Sequence, residues 1–354
     1  HRCEACGDLT DFDFARACRT AVESAGLKAS EDKWVGRDWF PLAGSLGSDA
    51  QALPAASRAV RICAKCLFAV QYLPLGVMLL DGRLTVFQST SDEFSYGLVQ
   101  TLVAEIHSRL RAGNYETVGS KEGSGALVGR LLGVLETLQR DGRLDQIPKA
   151  TTLQVWRFSN SGASPDCRVE DIASSALTFL QRAAQLGLQP DIAALLRRDG
   201  KERQPLFRCI ITGQDYPGLY PEGKWPGTSP RLYALYQTEV CGRSPRSLEI
   251  GQAIAGQAVI QMGERDIERL KRKKTFSDVT ARSRFRSVIV NMTQQGGLTL
   301  DDYMTLFPYT GESSDFAVSY DGWDIIRYYL YHDEALSFAN SGAGSAEVPD
   351  SRLM

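Results

Sequence analysis

Cys3-Glu4-Ala5-Cys6 and Cys63-Ala64-Lys65-Cys66 are the two stretches on which the fold of this chain turns. Two residues between cysteines let both thiolates reach one ion from a tight turn. Two such turns supply the four sulfurs that a tetrahedral zinc takes. Gly7 follows the first pair, where a knuckle turn needs a small residue. Four thiolates close the coordination shell and leave no position for an activated water, so the expected zinc is structural. The alternatives are coincidence or a redox pair, but neither pair reads as lying between a strand and a helix, as thioredoxin-like chemistry requires. The gap between the pairs, residues 7–62, is 56 residues long. Common fingers and ribbons have about 12–20. The metal is therefore expected to tie the chain start to a distant turn, and its loss to unfold roughly the first ninety residues.

Outward from these pairs, 354 residues imply two or three domains at roughly 100–200 residues each. Hydrophobic residues are 43% and charged residues 23%, the balance of a globular chain that buries a core. The formal net charge of −2 names no partner, so any nucleic-acid surface must be a local patch. No apolar run reaches the ~20 residues of a bilayer span. The chain opens at His1-Arg2-Cys3 with no initiator Met and no signal peptide, which reads as a trimmed start. Eight cysteines without a secretory signal point to a reducing cytoplasm and metal binding rather than disulfides. Cys18, Cys167, Cys209 and Cys241 are single and are expected to be free thiols.

The expected class is α+β, with four regions. Residues 1–92 form a zinc-stabilised α/β module, 93–227 a mainly helical middle, 228–340 a C-terminal helical bundle, and 341–354 a flexible tail. Phe14 to Ala25 carries a short apolar stripe, while residues 33–59 read as a long loop with Trp34, Trp39 and Phe40. Asp81-Gly82 between Val77–Leu80 and Leu84–Phe87 predicts a hairpin. Phe94–Ala112 and Ala126–Arg140 predict helices, Thr151–Phe158 a strand, Val169–Leu186 a helix, and Pro190 the start of another. The proline-rich stretch 199–230 reads as a linker. Beyond it helices are expected at 231–241, 247–273, 277–295, 299–306 and 321–339. Gly296-Gly297 closes one, and Thr299 with Asp302 caps the next.

A second feature is a basic cluster between Gly263 and Val290. Arg265, Arg269, Lys271, Arg272, Lys273, Lys274, Arg282, Arg284 and Arg286 face only Glu264, Asp266, Glu268 and Asp278, a local charge of +5. On a helix pair this makes a ridge suited to nucleic-acid phosphates. The plain alternative is a solvated helix face. Arg265, Arg269 and Arg272 share one helical face, and Arg282 and Arg286 another.

Catalytic signals are poor, and the chain is expected not to be an enzyme. His1, His107 and His332 are widely separated, with no nucleophile–base pairing in sight. Asp8, Asp11 and Asp13 have loop spacing, and Asp301-Asp302 are helix-start residues. Gly218 to Lys224 fits a phosphate-loop frame, but Trp225 replaces the magnesium-binding hydroxyl, and Pro226 and Pro230 deny the following helix. Gly123-Ser124-Gly125 has no strand feeding it.

The two cysteine pairs resemble the CXXC–CXXC class of CRISPR-associated proteins, large subunits of type I (subtype I-B and relatives) Cascade complexes. The resemblance includes Trp39-Phe40-Pro41-Leu42-Ala43-Gly44 between the pairs and Arg61-Ile62 before the second. It extends to Leu298-Thr299-Leu300-Asp301-Asp302-Tyr303-Met304-Thr305-Leu306-Phe307-Pro308 and covers about a third of the chain. It implies a non-catalytic subunit that recognises the target-flanking motif, helps open the duplex and supports the displaced strand. Its partners would be other Cascade subunits, guide RNA and target DNA, with a helicase-nuclease or transposition proteins recruited later. The rival readings are a zinc-containing enzyme whose catalytic residues escape notice and a zinc-ribbon interaction protein.

Overall fold

A computed structural model describes residues 1–28, 60–115, 118, 126–159, 166–199, 205–221, 225–272, 279–307 and 320–332. The chain is α+β, with thirteen α-helices and a single four-stranded antiparallel sheet among the described residues. None of those helices is long and apolar enough to cross a membrane. The loop with Trp34, Trp39 and Phe40, the Gly123-Ser124-Gly125 turn and the tail 341–354 lie outside the described residues.

Contacts divide the chain into two compact units, His1–Ala184 with Asp199–Gln204, and Gln185–Arg198 with Pro205–Met354. The three folded regions expected from sequence are thus redrawn as two.

In the first unit, α1 (Phe14–Ser24) starts where the Asp13 carboxylate accepts a hydrogen bond from the Arg16 N–H at 3.0 Å. α2 (Ala64–Gln71) follows the second cysteine pair. The hairpin of β1 (Val77–Leu80) and β2 (Arg83–Ser89) turns at Asp81 (φ 51°) and Gly82 (φ 68°). Both are left-handed, the geometry that matches the twist of paired strands. β2 then pairs with β3 (Leu153–Ser159), and β3 with β4 (Asp166–Ile172), giving the order β1-β2-β3-β4 with Val86 opposite Trp156 and Trp156 opposite Val169. The boundary expected near residue 92 therefore cuts through one sheet.

α3 (Asp92–Arg111) and α4 (Ala126–Arg140) pack with the sheet. Met78 and Phe87 line one small cavity with Leu98 and Leu102 of α3 and Leu131 and Val134 of α4. Glu105 of α3 joins the helices through Arg130 of α4 and also pairs with Arg109 on its own helix. Burial opposes its ionisation, yet the two guanidiniums hold its carboxyl below the usual range. α5 (Ser174–Gln185) follows β4, with Leu177, Phe179 and Leu180 buried.

β4 corrects the helix expected over Val169–Leu186. Val169, Ile172 and Ala176 have helical spacing, which hides the strand, but Arg168 and Glu170 alternate with Cys167 and Val169 at the period of two that β3 accepts.

The second unit begins with α6 (Gln189–Asp199), the helix expected from Pro190, and with α7 (Pro205–Thr212), which replaces part of the expected linker. Leu206, Phe207, Ile210, Tyr216, Leu219 and Tyr220 are buried, so this proline-rich stretch is core. α8 (Pro230–Glu239) and α13 (Tyr320–Tyr331) meet through Tyr233 and Tyr328, stacked at 3.5 Å between ring centroids. Burial pushes the Tyr220 and Tyr233 hydroxyls well above their ordinary range and keeps them neutral donors. The long helix expected over 247–273 is two, α9 (Pro245–Gln261) and α10 (Glu264–Arg272), because Met262 turns extended (ψ 148°) before Gly263. α11 (Val279–Gln294) and α12 (Leu300–Leu306) complete the bundle, and the last part of the helix expected over 321–339 lies outside the described residues.

The Thr299–Asp302 cap is a reciprocal box. The Asp302 N–H donates to Thr299 Oγ1 at 3.0 Å, and the Thr299 N–H donates to Asp302 Oδ2 at 3.2 Å. Replacing Thr299 with Ala should cost about 1 kcal/mol in a thermal or urea melt. The Thr299 hydroxyl first, and then the Arg246 guanidinium, hold the Asp302 carboxyl below the usual range. Folding therefore favours the charged form. Its stabilisation is complete above the ordinary aspartate value of about 3.9 and fades as pH falls below it.

Candidate metal centre

The first cysteine pair sits in a turn closed by backbone hydrogen bonds. The Cys3 N–H donates to Asp8 O at 2.8 Å and the Gly7 N–H to Cys3 O at 2.9 Å. Gly7 has φ +79°, which other residues adopt only with strain, so the glycine after the pair is a backbone requirement. The second pair opens α2. Cys63 is its N-cap, and Cys63 Sγ accepts the Cys66 N–H at 3.4 Å. Sulfur thus fills the place of a capping oxygen, at a helix start where the dipole favours a thiolate.

Three links bring the turns together across the 56 intervening residues, 7–62. The Glu4 N–H donates to Arg61 O at 2.8 Å, the Arg61 N–H to Glu4 Oε1 at 3.2 Å, and the Cys63 N–H to Cys3 Sγ at 3.3 Å. The four sulfurs of Cys3, Cys6, Cys63 and Cys66 lie within 4.8 Å of one another, with Cys6 and Cys63 at 3.9 Å. A tetrahedron with metal–sulfur bonds of about 2.3 Å has edges of about 3.8 Å, so the donor set fits such an ion. None of the eight cysteines, Cys18, Cys167, Cys209 and Cys241 included, is joined in a disulfide.

The sulfurs are not equivalent. Backbone N–H groups of Cys6 and Cys63 pull the Cys3 thiol down to about 6. The Cys63 and Cys6 sulfurs crowd Cys66 and push its thiol up to about 12. Four sulfurs so close cannot all carry charge alone, whereas a divalent cation among them favours four thiolates. The surrounding apolar cluster is small: Cys3, Ile62 and Leu67 are buried, with Phe12, Phe14 and Val60 partly so. A cluster of that size cannot order the chain start unaided.

The basic residues divide. Arg265, Arg269, Arg284 and Arg286 are exposed on α10 and α11. Lys271 is half-buried, its Nζ 3.2 Å from Glu268 Oε1 and above the Tyr331 ring at 5.7 Å. Arg272 and Arg282 lie in the helices with side chains outside the described residues, as Lys273 and Lys274 are entirely. Sequence reasoning counted Asp266 only among the opposing anions and missed its burial and its pairing. It is 3% exposed and takes Arg284 on Oδ2 and Arg269 on Oδ1, the latter at 3.7 Å. The available signal was its place beside Ile267 and three residues before Arg269 on the buried side of α10.

No protein-family model, curated protein or solved structure matches the chain.

Proposed function

We propose that the chain is a zinc-stabilised, non-catalytic large subunit of an RNA-guided Cascade-type complex, which recognises the target-flanking motif and binds target DNA and its displaced strand. The observation that carries the reading is the convergence of Cys3, Cys6, Cys63 and Cys66 across the 56-residue gap spanning residues 7–62. Those pairs are the motif on which the family resemblance rests. Four thiolates select zinc over oxygen-seeking cations and complete its shell, so the ion would hold structure and activate no water. Arg265, Arg269, Arg284 and Arg286 on α10 and α11 supply exposed charge for phosphates. Such contacts position a strand, while guide pairing reads its sequence.

A second reading has one observation in its favour. Asp266 and Glu268 neutralise part of the ridge, as a metal-tied protein-interaction module would allow. Native mass spectrometry of the assembly purified from its host separates the two: a guide RNA and partner subunits are expected, and an assembly free of nucleic acid overturns the first reading. Changing Arg265, Arg269 and Arg272 together to Ala should weaken every DNA target alike and flatten the salt slope by up to about one unit per lost phosphate contact. Unchanged affinity and slope would move the interface elsewhere.

A further inference from the structure

A buried acid inside a basic ridge needs a reason. Asp266 lies in the first turn of α10, where the helix dipole tolerates a carboxylate. Its side chain is 4% exposed, yet its partners Arg269 and Arg284 are 54% and 60% exposed. Ion pairs with such open partners return little against the desolvation of the acid. Their arrangement is more informative. Arg269 from α10 and Arg284 from α11 approach different oxygens of one carboxylate. Two guanidiniums that would repel each other are thereby drawn to one acid, at a net charge of +1 for the trio, while both side chains stay more than half exposed.

The frame around this pair is fixed. The Asp266 N–H donates to Gly263 O at 2.9 Å, and Ile267 and Leu270 anchor α10 in the core. Tyr331 of α13 donates its hydroxyl to the Lys271 carbonyl at the other end of the helix. On α11, buried Phe285 packs edge-on against Trp323 at 5.4 Å, beside Arg284 in sequence. Two arginines drawn to one acid from anchored helices offer fork donors for the oxygens of a phosphate, and pre-positioning lowers the ordering cost that flexible arginines would carry.

We infer that Arg269 and Arg284 form a phosphate-binding pair for single-stranded nucleic acid, and that Asp266 is its positioning residue. The inference rests on the nucleic-acid reading of the ridge and names the two side chains that grip the backbone. It makes a counter-intuitive claim: removing a negative charge at position 266 weakens the binding of a polyanion.

The test uses the full chain and fluorescently labelled single-stranded oligothymidine, titrated across a salt series. Arg284→Lys keeps the charge but loses the fork, at an exposed site where folding is safe. It should weaken binding about three- to tenfold. Asp266→Asn should weaken it similarly, with folding checked by circular dichroism; if that variant fails to fold, Arg284→Lys alone decides. Arg269→Ala with Arg284→Ala should flatten the salt slope by up to about 1.4 units, two single-strand contacts. Either folded single variant binding as tightly as the wild type, or more tightly, overturns the pair. Where the Arg265, Arg269 and Arg272 triple variant still weakens binding, the nucleic-acid reading survives that result. A wild-type chain without salt-dependent binding overturns both together.

Discussion

Cys63→Ser should abolish metal binding at the four-cysteine site and unfold the chain start while leaving the sheet intact. Metal content is expected to fall from about one equivalent to near zero, because structural zinc sites hold about 10–16 kcal/mol of binding energy that is also folding energy. Ile62 and Leu67 cannot replace it, since a buried aliphatic side chain contributes only about 1.5–3 kcal/mol. Hydrogen exchange should show protection lost in residues 1–28 and 60–71, with 77–89 and 153–172 retained. This narrows the expectation that roughly the first ninety residues unfold together. β2 is bonded to β3 along its length, and Met78, Leu80, Leu153 and Val155 are buried in the sheet's own core. Cys167→Ser is the control. Its thiol is exposed on β4, and metal content should not change. Acid should mimic Cys63→Ser, because protonated thiols release the ion. A Cys63→Ser protein that keeps its metal, or loses protection in the sheet as well, contradicts the site as described.

Gly322→Ala should destabilise the second unit by about 1–3 kcal/mol, an overpacking cost. A Cβ at position 322 would stand 2.3 Å from the Leu306 carbonyl oxygen and 2.7 Å from Phe307 Cδ1. Phe307 is buried and the carbonyl is backbone, so neither can swing away. The end of α12 would have to separate from α13. Gly133→Ala in α4 provides the opposite sign. A Cβ there meets nothing within 4 Å, and a mid-helix glycine gives way to alanine with a gain of up to about 1 kcal/mol. Thermal melts of the two variants should move in opposite directions. Equal shifts would mean that α13 does not pack on α12 this closely.

Much of the candidate site was legible because its signals are local. A pair of cysteines two residues apart states its own turn, and two pairs state a common ion wherever the chain brings them together. The Thr299–Asp302 box and the Asp81-Gly82 hairpin were readable for the same reason, since each is closed by atoms within three or four residues. Asp266 was not legible as the partner of Arg284, which lies eighteen positions away on another helix.

The sequence by itself determined the α+β class, the four sulfur donors, the hairpin turn and most helix starts. These depend on spacing, caps and backbone preferences that act within a turn or two of chain. Only the tertiary structure decided that β1 and β2 join β3 and β4, that residues 166–172 are a strand, and that the proline-rich stretch after residue 205 is core. An edge strand exists by virtue of its neighbour, and Val169, Ile172 and Ala176 carry a helical period until β3 lies beside them. Prolines mark where a helix cannot continue, not where burial ends. Leu206, Phe207, Ile210, Leu219 and Tyr220 are drawn inside by apolar surface that distant helices provide.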